Sequence, residues 1–139
     1  MKQNKRKDAS NNTYVLCELD AGIGSRTMEI MIKTNGKFEC IQNENQICFQ
    51  LSGEIDHHNA VAMRSDMDKI LILNHPSELC LDLSGIDFMD SSGLGLIMGR
   101  YTIMKKLGGT TVIKNPSARV KRILKLSAIE RIIKIEEDK

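Results

Sequence analysis

From residue 36 onward the chain alternates apolar and polar positions in short runs, and turn residues separate the runs. Residues 37–42 and 46–52 alternate in this way, and Asn43-Glu44-Asn45 between them predicts a turn joining two antiparallel strands. Ser52-Gly53-Glu54-Ile55-Asp56 then leads into a segment where Ala60, Met63, Met67, Ile70 and Leu71 recur at helical spacing. A helix is predicted there over residues 58–73, capped by Asp56 and ended by Asn74-His75-Pro76. Residues 79–83 return to alternation as a third strand. Leu94, Ile97, Met98, Tyr101 and Met104 predict a second helix over residues 92–107, and Gly108-Gly109 ends it. The β-branched run at 110–113 predicts a fourth strand. Asn115-Pro116 reads as the cap and first-turn proline of a helix over residues 116–126, with Val120, Ile123 and Leu124 inward. Residues 129–135 close the pattern as a short helix or an edge strand.

That order of elements predicts an α/β domain: a mostly parallel mixed sheet of four to five strands, one of them antiparallel, with helices packed against it. Residues 1–30 sustain no period: a polar opening at 2–12, an apolar patch at 14–19 and a Gly-containing turn at 21–25. They are expected to form a partly disordered extension outside the main fold, with 14–19 a short strand or helix. Met28 and Met31, just ahead of the domain, suggest that the natural start lies there.

Composition narrows the function classes. A chain of 139 residues suits one domain, which buries about two-thirds of its unfolded surface. A net charge of +2 and no aromatic-studded basic stripe argue against nucleic acid as a partner. No stretch approaches the roughly 18 apolar residues of a membrane span, and the basic N-terminus (Lys2, Lys5, Arg6, Lys7) lacks the apolar run of a secretory signal. A cytoplasmic protein with reduced thiols and no membrane contact is expected. Cys17, Cys40, Cys48 and Cys80 form no C-x-x-C pair, so neither a zinc site nor a redox motif is supported; Cys48 and Cys80 read as small core residues.

The chemistry of interest lies in Phe88-Met89-Asp90-Ser91-Ser92-Gly93-Leu94-Gly95, at the predicted mouth of the second helix. Asp90, Ser91 and Ser92 fall where side-chain oxygens accept bonds from unpaired backbone N–H groups. Catalysis is not supported: the nucleophile elbow G-x-S-x-G is absent, and His57, His58 and His75 lie elsewhere with no triad signature. The glycines at 93, 95 and 99 fit neither G-x-G-x-x-G nor a P-loop. Two readings remain for the serines, helix capping or acceptance of a phosphoryl group by Ser91 or Ser92. A phosphate adds a charge of about −1.5 to −2, and a helix N-terminus stabilises it by about 0.3–1 kcal/mol. Beside Asp90 in an interface the same charge costs several kcal/mol, on the order of a thousandfold in affinity.

Adjacent on a first helical turn, His57 and His58 point in different directions and cannot chelate one metal together, so no metal is expected. Asp56 and Asp90 both follow strand-like segments; if those strands are parallel neighbours, one partner could cover both helix mouths. Gly93, Gly95 and Gly99 clear one side of the helix, either for such a partner or for packing on the chain's own sheet.

Taken in order, Ser52-Gly53-Glu54-Ile55-Asp56-His57-His58, the Phe88 to Gly95 motif, Gly99-Arg100-Tyr101 and Val120-Lys121-Arg122-Ile123-Leu124 resemble the STAS domain, in the branch of the anti-sigma F factor antagonists of spore-forming bacteria. The resemblance covers residues 36–137 and implies the STAS fold; residues 1–30 depart from it, since the family's domain begins near Met31. It further implies that the first serine of the Asp-Ser-Ser-Gly motif, Ser91, is the one phosphorylated, with Ser92 the runner-up. The implied partner surface comprises Asp56, His57, His58, Asp90, Ser91, Ser92, Gly93 and Gly95. The implied partner is an ATP-binding anti-sigma factor that is itself the serine kinase; a serine phosphatase reverses the modification, and a sporulation sigma factor is released indirectly. No catalytic residue or cofactor of the chain's own is implied, since the ATP belongs to the partner. The alternatives are an antagonist of the general stress response, or a STAS scaffold or ligand-binding module. His57-His58 and Gly99-Arg100-Tyr101 favour the sporulation branch.

Overall fold

The computed structural model describes residues 2–7, 13–18, 30–34 and 38–138. Strands β1 (Lys2–Lys7), β2 (Thr13–Glu18), β3 (Ile30–Thr34) and β4 (Phe38–Asn43) are followed by β5 (Gln46–Ile55), α1 (His57–Asn74), β6 (Glu78–Met89), α2 (Ser91–Lys106), β7 (Thr110–Lys114), α3 (Ala118–Leu126), a 3-10 turn (Ile129–Arg131) and β8 (Lys134–Glu136). The five strands β4–β8 and three helices form the α/β STAS fold. In the sheet β4 is antiparallel to β5, whereas β5, β6, β7 and β8 run parallel, in that order. Strands β1–β3 continue the sheet on its antiparallel side, so residues 14–18 of the apolar patch fall on β2, and Leu19 lies outside the described residues. The expected turn at 21–25 lies outside the described residues.

Each connection from β5 onward joins neighbouring parallel strands, so right-handed crossovers put α1, α2 and α3 on one face. Ile47, Phe49, Leu51, Leu79, Leu81, Leu83 and Ile113 form the sheet's side of the core, which Met63, Met67 and Leu71 of α1, Ile97 and Met104 of α2, and Val120 and Leu124 of α3 cover. The opposite face carries the alternate positions, including the register row Cys48, Cys80 and Val112. Cys48 and Cys80 therefore lie apart from the main core; Cys80 is buried and Cys48 only half-buried. Alternation reveals that a side chain sits in a strand but not which face is covered.

Three elements differ from the pattern's expectation. Strand β6 runs past Leu83 to Met89, because its pairing with β5 absorbs two irregularities and resumes at Gly85. Gly85 is required there: a Cβ would lie 2.8 Å from the Leu51 carbonyl oxygen. The cap of α3 is Ser117, whose Oγ accepts the Val120 N–H, and not Asn115. Asn115 adopts a left-handed conformation and instead ties down the C-terminal segment, its amide oxygen accepting from the Asp138 N–H at 2.8 Å. Finally, residues 129–135 divide into a 3-10 turn and the edge strand β8.

Candidate functional site

The last register pair of β5 and β6 is Ile55 with Met89, and the next residue on each strand is the cap of a helix. Parallel pairing thus sets Asp56 and Asp90 side by side at one end of the sheet, about one strand spacing apart. Asp56 is extended, and its Oδ1 accepts from the Asn59 N–H at 2.9 Å while Asn59 Oδ1 accepts from the Asp56 N–H at 3.0 Å. That is a closed capping box, with Asn59 in the place usually held by Glu or Gln. Asp90 caps α2 more simply, its Oδ1 accepting from the Ser92 N–H at 2.8 Å and its carbonyl from Gly93 N–H at 3.0 Å. Each cap contributes about 1 kcal/mol to its helix.

Ser91 occupies the first position of α2 and is exposed. Because the Asp90 carboxylate is engaged with Ser92 N–H, the Ser91 hydroxyl is left without a hydrogen-bond partner among the described residues. Ser92 is half-buried and turns toward an open groove between α1 and α2. One wall of the groove is His57, Ala60, Val61 and Arg64 on α1; the other is Ser92, Gly95 and Leu96 on α2. The α1 wall repeats at helical spacing and includes Val61, 45% exposed on a face otherwise solvated. Val61 and Arg64 escaped the sequence reading; an apolar residue on the polar side of α1 was the available signal.

The glycines of α2 divide by environment. Gly93 is buried, and a Cβ on it would lie 2.7 Å from Met89 Cβ, so its bareness serves the seating of α2 on the end of β6. Gly95 and Gly99 have nothing within 4 Å of a Cβ, and Gly95 faces the groove. Of the expected surface, Asp56, His57, His58, Asp90, Ser91 and Gly95 are exposed at this end of the molecule, Ser92 is half-buried beside them, and Gly93 lies behind. Among the described residues no group of three or more His, Cys, Asp or Glu could hold a metal ion.

Arg100, 2% exposed, is turned inward from α2 toward α1, where its Nε lies 2.9 Å from Asp68 Oδ1. The contact is an ion pair without hydrogen-bond alignment, and Nη1 is also unbonded. Burial pulls the Arg100 guanidinium below its ordinary pKa, with Asp68 opposing; burial likewise raises the Asp68 carboxyl, with Arg100 and then Arg64 opposing. For both partners desolvation outweighs their attraction, so the pair orients α1 against α2 at a cost in charge solvation.

A family model described as "STAS domain" matches residues 37–139. The chain is 33% identical to the anti-sigma F factor antagonist of Paenibacillus polymyxa over 104 residues, 75% of this chain and 89% of the relative. It is equally 33% identical to the anti-sigma-B factor antagonist of Bacillus subtilis (strain 168) over 94 residues, 68% of this chain and 84% of that protein. The solved structure of the anti-sigma factor antagonist SpoIIAA in its unphosphorylated form superimposes with a TM-score of 0.66, at 24% identity over 73% of this chain and 88% of that one. With its caps, its parallel strand pair and the matched residues 37–139 in agreement, the chain belongs to the STAS domain family.

Proposed function

We propose that the protein is an anti-sigma factor antagonist whose free form docks on an ATP-binding anti-sigma factor through the two helix mouths and the α1/α2 groove, and that phosphorylation of Ser91 by that partner ends the complex. The observation that carries this reading is the state of Ser91: exposed, at the first position of a helix, with its hydroxyl free because Asp90 caps through Ser92. A phosphoryl group there lies at the positive end of the α2 dipole while Asp90 keeps the first-turn N–H groups capped, so the modification is compatible with the fold. Ser92 is the less suitable acceptor, half-buried against the groove with its N–H held by Asp90. The names of the relatives, each an anti-sigma factor antagonist, support the partner class. The kinase chemistry and ATP belong to that partner, a separate serine phosphatase resets the switch, and the setting is the cytoplasm, where a sigma factor acts.

The sporulation branch is our first reading, on the exposed His57-His58 pair beside the mouth of α1. Arg100 of Gly99-Arg100-Tyr101 is buried against Asp68, so it lies behind the proposed docking surface. Identity of 33% to an anti-sigma-B factor antagonist supports the general stress response as the second reading.

Incubation with ATP and a candidate anti-sigma factor, followed by intact mass and site mapping, tests the proposal. One phosphate on Ser91 is expected, with loss of the complex on sizing. Ser91→Ala should stay bound and Ser91→Asp should bind weakly; equal affinity for both overturns the switch. Running the sporulation and stress anti-sigma factors in parallel separates the branches.

A further inference from the structure

On the sheet face opposite the helices, Cys48 of β5 stands directly across from Cys80 of β6, and their sulfurs are linked by a hydrogen bond at 3.1 Å. We propose that Cys48 and Cys80 form a two-thiol modification site that a hydroperoxide oxidises to a reversible cross-strand disulfide.

The geometry requires little movement. Neighbouring strands lie about 4.8 Å apart, within the roughly 4.4–6.8 Å that disulfides span between Cα atoms. Parallel neighbours point their Cβ atoms the same way, so these stay about 4.8 Å apart, wider than the roughly 3.5–4.5 Å of a relaxed bridge. Such a bridge closes under tension and is readily reduced, which suits a reversible modification better than a permanent staple.

Roles for the two sulfurs follow from their surroundings. Cys48 is half-buried and reachable; Cys80 is buried beside Val112. Once Cys48 loses its proton the Cys80 thiol can donate to it, which favours the Cys48 thiolate and holds its pKa down against burial and the Asp82 charge, with Lys114 helping, whereas the Cys80 thiol is pushed up. Cys48 is therefore the attacking sulfur. Its thiolate attacks one peroxide oxygen, the O–O bond breaks, and the departing oxygen leaves as water (or an alcohol) after taking a proton; Cys48 becomes a sulfenic acid. The Cys80 sulfur then attacks the Cys48 sulfur, the S–S bond forms, and the hydroxyl leaves with the Cys80 proton as a second water. Two electrons have passed from the thiols to the peroxide, and a dithiol reductant returns them. Cys40 is excluded from this chemistry: it is buried in the main core, its thiol pushed up to about 12 chiefly by burial.

The reduced full-length protein is treated with hydrogen peroxide without denaturant, its free thiols are alkylated, and non-reduced peptides are mapped by mass. Peptides containing Cys48 and Cys80 should be joined, with the intact mass lower by two hydrogens and restored by dithiothreitol. Cys80→Ser should stop at a sulfenic acid on Cys48, trapped by dimedone, and Cys48→Ser should leave Cys80 unmodified. Recovery of Cys48 and Cys80 both alkylated after peroxide, a bridge to Cys17 or Cys40, or bridging only between chains would overturn the proposal. The wild-type map is decisive by itself, so the test stands even where a variant misfolds.

Discussion

Gly93 and Gly95 lie on the first turns of α2 but face opposite neighbourhoods, so an added methyl group at each position separates packing from docking. At Gly95 a Cβ meets nothing within 4 Å. Replacing Gly by Ala in a helix stabilises it by roughly 0.5–1 kcal/mol, mainly by restricting the unfolded chain, and Gly95→Ala should gain about that much. At Gly93 the same gain is opposed by overlap with Met89, whose Cβ, Sδ and Cγ lie 2.7, 3.2 and 3.3 Å from the added carbon. Met89 is 1% exposed at the end of β6, and its Cβ moves only if the strand moves. Overpacking of this kind costs about 1–3 kcal/mol, so Gly93→Ala should lose up to about 2 kcal/mol net. Urea unfolding followed by far-UV circular dichroism measures both, and the variants should lie on opposite sides of the wild type.

Binding should rank the pair the other way. The Gly95 methyl projects into the groove walled by Val61 and Arg64, and a closely seated partner must shift or lose contact. A steric cost of about 1–3 kcal/mol corresponds to roughly fivefold to 150-fold in Kd. Gly93→Ala, once folded, should bind nearly as the wild type does. If Gly95→Ala binds the anti-sigma factor at wild-type strength, the groove is not where the partner seats; if it is as unstable as Gly93→Ala, the division of the glycines is wrong.

Two further outcomes follow from buried groups. Asp68→Ala should cost about 3 kcal/mol by leaving the Arg100 guanidinium buried without its counterion, while Asp68→Leu with Arg100→Met should recover most of that loss in a double-mutant cycle read by urea unfolding. Cys40, raised to about 12, keeps its proton when folded where an unfolded thiol of pKa about 8.5 releases it. Its contribution to stability is therefore full below about pH 8.5 and falls as pH rises toward 12, and it should resist a thiol-titrating reagent at pH 8 until the chain is unfolded.

Much of the domain was legible because its elements carry strong periods. The buried face of α1 (Ala60, Met63, Met67, Ile70 and Leu71) follows from 3.6-residue spacing, and Asp56 as its cap follows from local chemistry. What periodicity missed was tertiary. The continuation of β6 depends on Gly85 passing close to the Leu51 carbonyl, an approach invisible in one strand alone. Asn115 looked like a cap because Asn-Pro commonly is one, yet its side chain is taken by Asp138 far along the chain. At the site, Asp56 and Asp90 were each readable, but their adjacency required the parallel register that ends at Ile55 and Met89. Arg100 was noticed as part of a motif, and only packing revealed that it faces α1. Cys80 is buried as its strand pattern suggests, whereas Cys48 is only half-buried, because alternation does not say which face of a sheet is covered.

The position proposed for the switch also explains how one modification can leave the fold intact and still end a complex. In the free protein a phosphoryl group on Ser91 would gain about 0.3–1 kcal/mol from the helix terminus. Taken at a separation of roughly 6 Å in water, repulsion from the Asp90 carboxylate costs about 0.7 kcal/mol per unit charge, or roughly 1–1.4 kcal/mol for the dianion. The net cost is about 1 kcal/mol or less, and α2 keeps its cap because Asp90 bonds to the Ser92 N–H and not to Ser91. Once a partner covers the two helix mouths and water leaves, the effective dielectric drops to about 20 and the same repulsion grows about fourfold. Asp56, brought alongside by the strand register, then adds a second carboxylate to the enclosed site. The charge is tolerated by the free protein and costly only in the complex, so its effect falls on binding rather than folding. A helix mouth supplies that asymmetry, because its dipole favours an anion while the site remains exposed until the partner arrives.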